Sequence, residues 1–276
     1  MSYNNFVPHL WSTAIEQNRE RMMVAAQLCN RDYEGDIKEL GDKVKINGVS
    51  RPTITDYDDV NGLGDFERLQ DQSTMLEITE SKAFHFYVGD IDKRQSAGNI
   101  MDAELTEASA ALAEVMDSYI YSHYDEAGIE VTVDELTTDN VLSVINETLG
   151  KLWKNNVPTT EQVSLEVTPD FLTKLQMAKL LVDTDNSSTL AGGVVHKLKT
   201  FNIDVYMSNN LPQDDKKNDI CIMRTKKAIS FAEQLKEVKV YEPQNFFGEA
   251  VKGLQVYGAK VIRPDELAVI KIASYK

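Results

Sequence analysis

The chain of 276 residues carries 4 histidines, 2 cysteines and 44 acidic residues, the side chains best suited to holding a metal or moving a proton. Their spacing serves neither purpose. His9, His85, His123 and His196 are dispersed, and each reads as a packed or surface histidine. Cys29 and Cys221 lie far apart with no CxxC or Cys/His pattern around them, so both are expected as buried free thiols. Gly62-Leu-Gly64 lacks the third glycine and the strand-to-helix setting of a dinucleotide loop, and no GxxxxGK[ST] or GxSxG motif occurs. A Tyr–Lys proton relay needs one helical turn between its members. Tyr257 and Lys260 are three residues apart in a segment that alternates like a strand. Asp183-Thr-Asp185-Asn186 lacks the glycine and closing glutamate of a calcium loop and reads as an acidic turn. No catalytic, metal or cofactor-binding residue is expected, and the chain is not expected to be an enzyme.

Charge narrows the choice further. The formal net charge is −15, and the basic runs are pairs such as Lys216-Lys217 and Lys226-Lys227. Gripping nucleic acid by its phosphates requires clustered Lys and Arg, so at most weak contact with DNA is expected. A hydrophobic fraction of 42% is that of a globular protein. No leader pattern opens the chain and no apolar run approaches the length of a membrane helix, so a soluble protein made in a cytoplasm is expected.

The elements are legible in outline. Phe6, Leu10, Trp11, Ile15, Met22 and Met23 recur with helical spacing in an N-terminal arm. Between Gly41 and Val88 the chain alternates with the two-residue period of strands, as at Val44 and Ile46 and again at Phe84, Phe86 and Val88, yet no partner for them is evident. The Asp- and Gly-rich stretch from Tyr57 to Gln72 reads as a solvated tip. A long helix follows from Asn99 or Ile100, with Leu105, Ala108, Leu112, Val115, Met116, Tyr119 and Ile120 on one stripe. A second helix is predicted from an N-cap at Thr138 to a stop at Pro158. Val163–Val167 reads as a strand, and Thr168-Pro169-Asp170 starts a third helix with a capping hydroxyl. Asp183 to Gly193 reads as a surface loop. Ala228–Leu235 fits either a helix or a buried strand. Strands follow over Phe201–Met207, Gly253–Val261 and Leu267–Ile272. The fold class is α+β.

Four motifs occur in a telling order: Asn30-Arg-Asp-Tyr-Glu-Gly35 followed by Gly41-Asp-Lys-Val-Lys-Ile46; Val88-Gly-Asp-Ile-Asp-Lys93; Phe201-Asn-Ile-Asp-Val-Tyr-Met-Ser-Asn-Asn210; and the stretch Phe247 to Pro264. Over nearly the whole chain these parts resemble the tailed-bacteriophage major capsid protein family, whose fold encapsulin shells share. Thr200 stands where the family pattern suggests glycine.

The resemblance implies an N-terminal arm (1–35), an extended β-hairpin loop (36–82) reaching over a neighbouring subunit, and a peripheral domain (83–139) with a spine helix (97–124). An axial domain (140–250) and a return to the peripheral domain (251–276) complete it. The implied function is a self-assembling icosahedral shell around double-stranded DNA. An encapsulin-type compartment, or less plausibly an unrecognised soluble enzyme, is the alternative. The implied partners are further copies of the chain in pentamers and hexamers, a separate scaffolding protein, a portal and a decoration protein, with no membrane. Contacts to neighbouring subunits are expected from Trp11, Lys43, Lys45, Arg51, Asp58, Asp59, Asp65, Glu67 and Arg68. The implied location is the virion, assembled in the host cytoplasm.

Overall fold

A computed structural model describes residues 23–33, 41–49, 54, 71–89, 100–178, 181–182, 194–198, 203–245 and 247–276. Strands β1 (Lys43–Val49) and β2 (Asp71–Glu77) form an antiparallel hairpin, with Lys43 opposite Glu77 and Val49 opposite Asp71. Then come β3 (Glu80–Gly89), helix α1 (Ile100–Tyr121), β4 (Ile129–Val133), α2 (Val141–Lys154), β5 (Val163–Val167) and α3 (Pro169–Met177). The remainder is almost all strand: β6 (Leu181–Val182), β7 (Val194–Leu198), β8 (Ile203–Met207), β9 (Asp219–Thr225), β10 (Ile229–Tyr241), β11 (Gly248–Val261) and β12 (Leu267–Ile272). The expected α+β class holds.

Two larger sheets organise these elements. One is three-stranded, ordered β10-β11-β3, and the other seven-stranded, ordered β4-β12-β9-β5-β8-β7-β6. Helices α2 and α3 bury Val141, Ile145, Leu149, Leu152, Phe171 and Leu175 against one face of the larger sheet. Helix α1 lays Leu105, Leu112, Met116 and Ile120 between the smaller sheet and the opposite face of β9 and β12. Strands β9 and β12 therefore serve both cores: Cys221 and Met223 point into one, Ile220 and Ile222 into the other. Side chains that alternate across a pleat make this possible, and it explains why these strands read as continuous apolar runs.

Several expectations need correction. Strand β3 does have a partner within the chain, pairing with β11 from Gly248–Gly89 to Tyr257–Glu80. The two strands are some 160 residues apart in sequence, so local periodicity could not reveal the pairing. The tip expected up to Gln72 ends earlier, because Asp71 and Gln72 already belong to β2. Asn140 rather than Thr138 stands at the N-cap position of α2, and its side chain makes no capping bond to the helix. The Asn140 Oδ1 accepts from the Thr137 amide at 2.8 Å and the Thr137 Oγ1 from the Asn140 amide at 3.3 Å. That helix ends at Lys154, before Pro158, and Asn156 then turns the chain with a φ of 64°. Thr168 precedes α3 as expected, but its hydroxyl makes no cap and lies 3.0 Å from the Tyr275 hydroxyl. The ambiguous Ala228–Leu235 segment is the start of β10. The loop expected from Asp183 to Gly193 lies outside the described residues.

Candidate functional site

The groups that could have done chemistry are placed apart. The Nε2 atom of His85 lies 2.8 Å from the Tyr241 hydroxyl on the sheet surface, and His123 follows α1 with its Nδ1 3.0 Å from the Tyr119 carbonyl. Cys29 and Cys221 are buried and free. Tyr257 and Lys260 are both in β11, where Lys260 pairs with Glu126 at 2.8 Å. Among the described residues no group of three or more His, Cys, Asp or Glu could hold a metal ion. His9 and the side chain of His196 lie outside the described part.

Three features that do stand out concern how surfaces are built and held. The first is the β1–β2 hairpin. Ile46, Leu76 and Ile78 pack at its base on Ala232 and Val256. The Gly41 amide donates to the Ile78 carbonyl at 3.0 Å, and the Ile78 amide to the Asp42 carbonyl at 3.1 Å. Gly258 allows the close approach, since a Cβ there would sit 2.2 Å from the Glu77 carbonyl oxygen. Lys43, which is exposed, pairs across the hairpin at 3.0 Å with the half-buried Glu77, and Lys45 is exposed on the same strand. An ion pair in such a setting contributes little. The hairpin hangs on its apolar base.

The second feature is a polar knot under residues 23–33. Arg224 of β9 and Glu166 of β5 are fully buried, paired at 2.6 and 3.2 Å. The guanidinium also donates to the Ala25 carbonyl at 3.0 Å and to the Cys29 Sγ at 3.1 Å. From α1, Asp117 accepts the amides of Val24 and Ala25 at 2.9 and 3.1 Å. Burial pushes its carboxyl up to about 6, with the Val24 amide pulling the other way. Burial likewise raises the Cys29 thiol. Further along, Arg31 pairs with Glu233 at 2.8 Å, and Gln255 donates to the same carboxylate at 2.7 Å. The segment is thus tied to α1, to β9 of the larger sheet and to β10 of the smaller by charge-assisted bonds, which are the strong ones.

The third feature is the face of the three-stranded sheet turned away from α1. Register places Lys239 opposite Lys252, and Lys252 opposite His85. Three basic side chains thus form one row across three strands. The next row is Tyr241, Ala250 and Tyr87. The Lys252 ammonium sits 5.4 Å from the centre of the Tyr241 ring, and His85 stacks on that ring at 5.9 Å. Tyr87 donates to the Phe247 carbonyl at 2.7 Å, while the Phe247 side chain is 92% exposed. A shallow groove of about 480 Å³ runs over this face between Ala83, His85, Tyr241 and Leu254.

Of the residues expected to contact neighbouring subunits, the structure describes Lys43 and Lys45, both on β1. Trp11, Arg51, Asp58, Asp59, Asp65, Glu67 and Arg68 lie outside the described residues, as does Thr200. Neither the knot nor the basic row was visible in the sequence. Arg224 lies 58 residues from Glu166 and 199 from Ala25, the row is aligned only by the pairing of three strands, and the one available sign was a charged residue in a strand, as at Glu166 and Arg224.

No protein-family profile matches the chain, and no curated protein matches it. Solved structures do. A chain of Mycobacterium phage Che8 is 28% identical, covers 90% of this chain and 90% of its own, and has a TM-score of 0.71. The capsid of cyanophage P-SCSP1u is 14% identical with a TM-score of 0.73, covering 92% of this chain and 89% of its own. The holo-SrpI encapsulin complex of Synechococcus elongatus is 12% identical with a TM-score of 0.55, covering 83% and 81%.

Proposed function

We propose that this chain, which has the major-capsid fold shared by tailed bacteriophages and encapsulins, is the major capsid protein of a tailed phage. The observation that carries the reading is the likeness to the Che8 phage chain at 28% identity over 90% of both chains. That identity also favours a phage shell over the compartment reading, whose encapsulin likeness stands at 12%.

The chain then works by physical association. Copies meet in pentamers and hexamers, and many modest contacts close an icosahedral shell around double-stranded DNA. The extended loop (36–82) reaches a neighbouring subunit, with Lys43, Lys45, Arg51, Asp58, Asp59, Asp65, Glu67 and Arg68 on it and Trp11 on the arm as the contacting residues. The peripheral domain takes 83–139 and 251–276, with its spine over 97–124, and the axial domain takes 140–250. A scaffolding protein, a portal and a decoration protein are the further partners, and assembly occurs in the host cytoplasm. The net charge of −15 keeps contact with DNA weak. No helix among the described residues is long and apolar enough to cross a membrane.

Electron microscopy of the purified chain, alone and with a scaffolding partner, tests the reading. Shells, tubes or capsomers are expected. A monodisperse monomer under both conditions would overturn it.

A further inference from the structure

Charges shut away from water must balance, because an unpaired one has no solvent to stabilise it. Under residues 23–33 they do not balance while every group is ionised. Glu166 of β5, Asp117 of α1 and Arg224 of β9 are all buried, which sets two carboxylates against one guanidinium. Both bonds of the guanidinium to a carboxylate go to Glu166, and two others go to the Ala25 carbonyl and the Cys29 Sγ. Asp117 is left with backbone amides, those of Val24 and Ala25 at 2.9 and 3.1 Å, and no cation pairs with it among the described residues.

The other titratable groups around the knot do not supply the missing charge. Burial keeps the Cys29 thiol and the Tyr121 phenol protonated and neutral. On β8, Tyr206 stands opposite Glu166 and Asp204 opposite Ser164, and Glu233 of β10 is paired with Arg31. A proton on Asp117 leaves Glu166 and Arg224 to cancel. Its loss leaves one net negative charge in the dry interior, in agreement with the raised Asp117 carboxyl.

The segment over this knot has little else to hold it. Ala25 and Ala26 bring small apolar side chains, and Met23 and Cys29 are the larger buried ones. Its backbone meets β10 in a single bridge, where the Asn30 amide donates to the Ile229 carbonyl at 2.8 Å and the Phe231 amide to the Asn30 carbonyl at 2.9 Å. Segments with few buried apolar contacts open locally at far less cost than the core. We infer that residues 23–33 form a proton-keyed strap, which lies closed on α1 and β9 while Asp117 carries a proton and opens as one unit more often once Asp117 ionises, the rest of the subunit staying folded. The inference concerns the single folded chain and stands or falls apart from the shell reading.

The two thiols supply the readout, since Cys29 lies under the strap and Cys221 in the other core. Alkylation of the full-length, unassembled chain by iodoacetamide is followed for each thiol by peptide mass spectrometry and divided at every pH by the rate of that thiol in the denatured chain. Cys29 is expected to react faster than Cys221. Its corrected rate is expected to rise about tenfold between about pH 5 and about pH 8, the change that linkage gives for a carboxyl at about 6 when closed and 3.8 when open. Asp117→Asn should raise the Cys29 rate at the acid end and remove its rise with pH. Equal corrected rates for the two thiols would overturn local opening, and a rise that persists in Asp117→Asn would overturn Asp117 as the key. The wild-type chain decides independently of the variant's folding: an NMR titration of the Asp117 carboxyl carbon is expected to have its midpoint at about 6. A midpoint in the ordinary carboxylate range would refute the strap's dependence on this proton.

Discussion

Glu166 and Arg224 lie side by side on neighbouring strands, 2.6 Å apart and fully excluded from water, and the guanidinium reaches past the carboxylate to hold the backbone of Ala25. The pair joins the seven-stranded sheet to the segment that covers it. Removing one member leaves the other as an uncompensated buried charge. We therefore expect Glu166→Ala to destabilise the unassembled subunit by about 3–5 kcal/mol in a denaturant titration. A loss below about 1 kcal/mol would show that water replaces the carboxylate.

Asp117 gives the same region a dependence on pH. Its carboxyl is raised to about 6, from an ordinary value of 3.8, by burial first and by the nearby Glu166 charge, with the amide of Val24 opposing the shift. The folded chain thus keeps the proton over a range in which the unfolded chain has released it. The associated stability is complete below about pH 4 and is lost as pH rises through about 6, amounting to at most about 3 kcal/mol. Asp117→Asn keeps an acceptor for one of the Val24 and Ala25 amides, lowers stability at every pH by the loss of the other bond, and should flatten its pH dependence between those limits. A slope unchanged in the variant would assign it to other carboxyls.

Gly258 sets the seat of the hairpin. A methyl group there meets the Glu77 carbonyl, which belongs to the backbone and cannot rotate aside. Gly258→Ala is expected to cost about 1–3 kcal/mol by forcing β2 off β11. Proteolysis should then cut faster between residues 41 and 78 while the seven-stranded sheet remains protected. Equal protection in wild type and variant would place the strain elsewhere.

Shell formation should depend on the loop more than subunit stability does. Deleting residues 57–70 leaves the paired parts of β1 and β2 intact apart from their connection. The expected result is a folded subunit with shell yield reduced at least about tenfold, because the contact that links copies is missing while each subunit's core is kept. Normal shells from the deletion would show that other surfaces carry assembly.

What could be read from the sequence follows from how local each signal is. The stripe Leu105 to Ile120 announced α1, and Thr168-Pro169-Asp170 announced α3, because helical spacing and helix starts are written within a few residues. The start of strand β2 is hidden in the expected tip because Asp71-Gln72-Ser73-Thr74 is polar on both faces. The partner of β3 escaped for another reason: pairing between residues such as Val88 and Glu249 is a property of topology, and no window of sequence contains both. The basic row is the extreme case. His85, Lys239 and Lys252 are unremarkable singly, and only the register of three strands aligns them.

Strands β9 and β12 present Cys221, Met223, Ala268 and Ile270 to one core and Ile220, Ile222, Leu267 and Val269 to the other. Slipping either strand by a single residue would exchange its two sets of side chains between cores of different shape. Neither core can loosen alone while these strands keep their register. The two halves of the subunit are therefore bound into one cooperative unit, and a load applied at the hairpin side reaches the helices on the far side through the side chains of α1 packed between the two larger sheets.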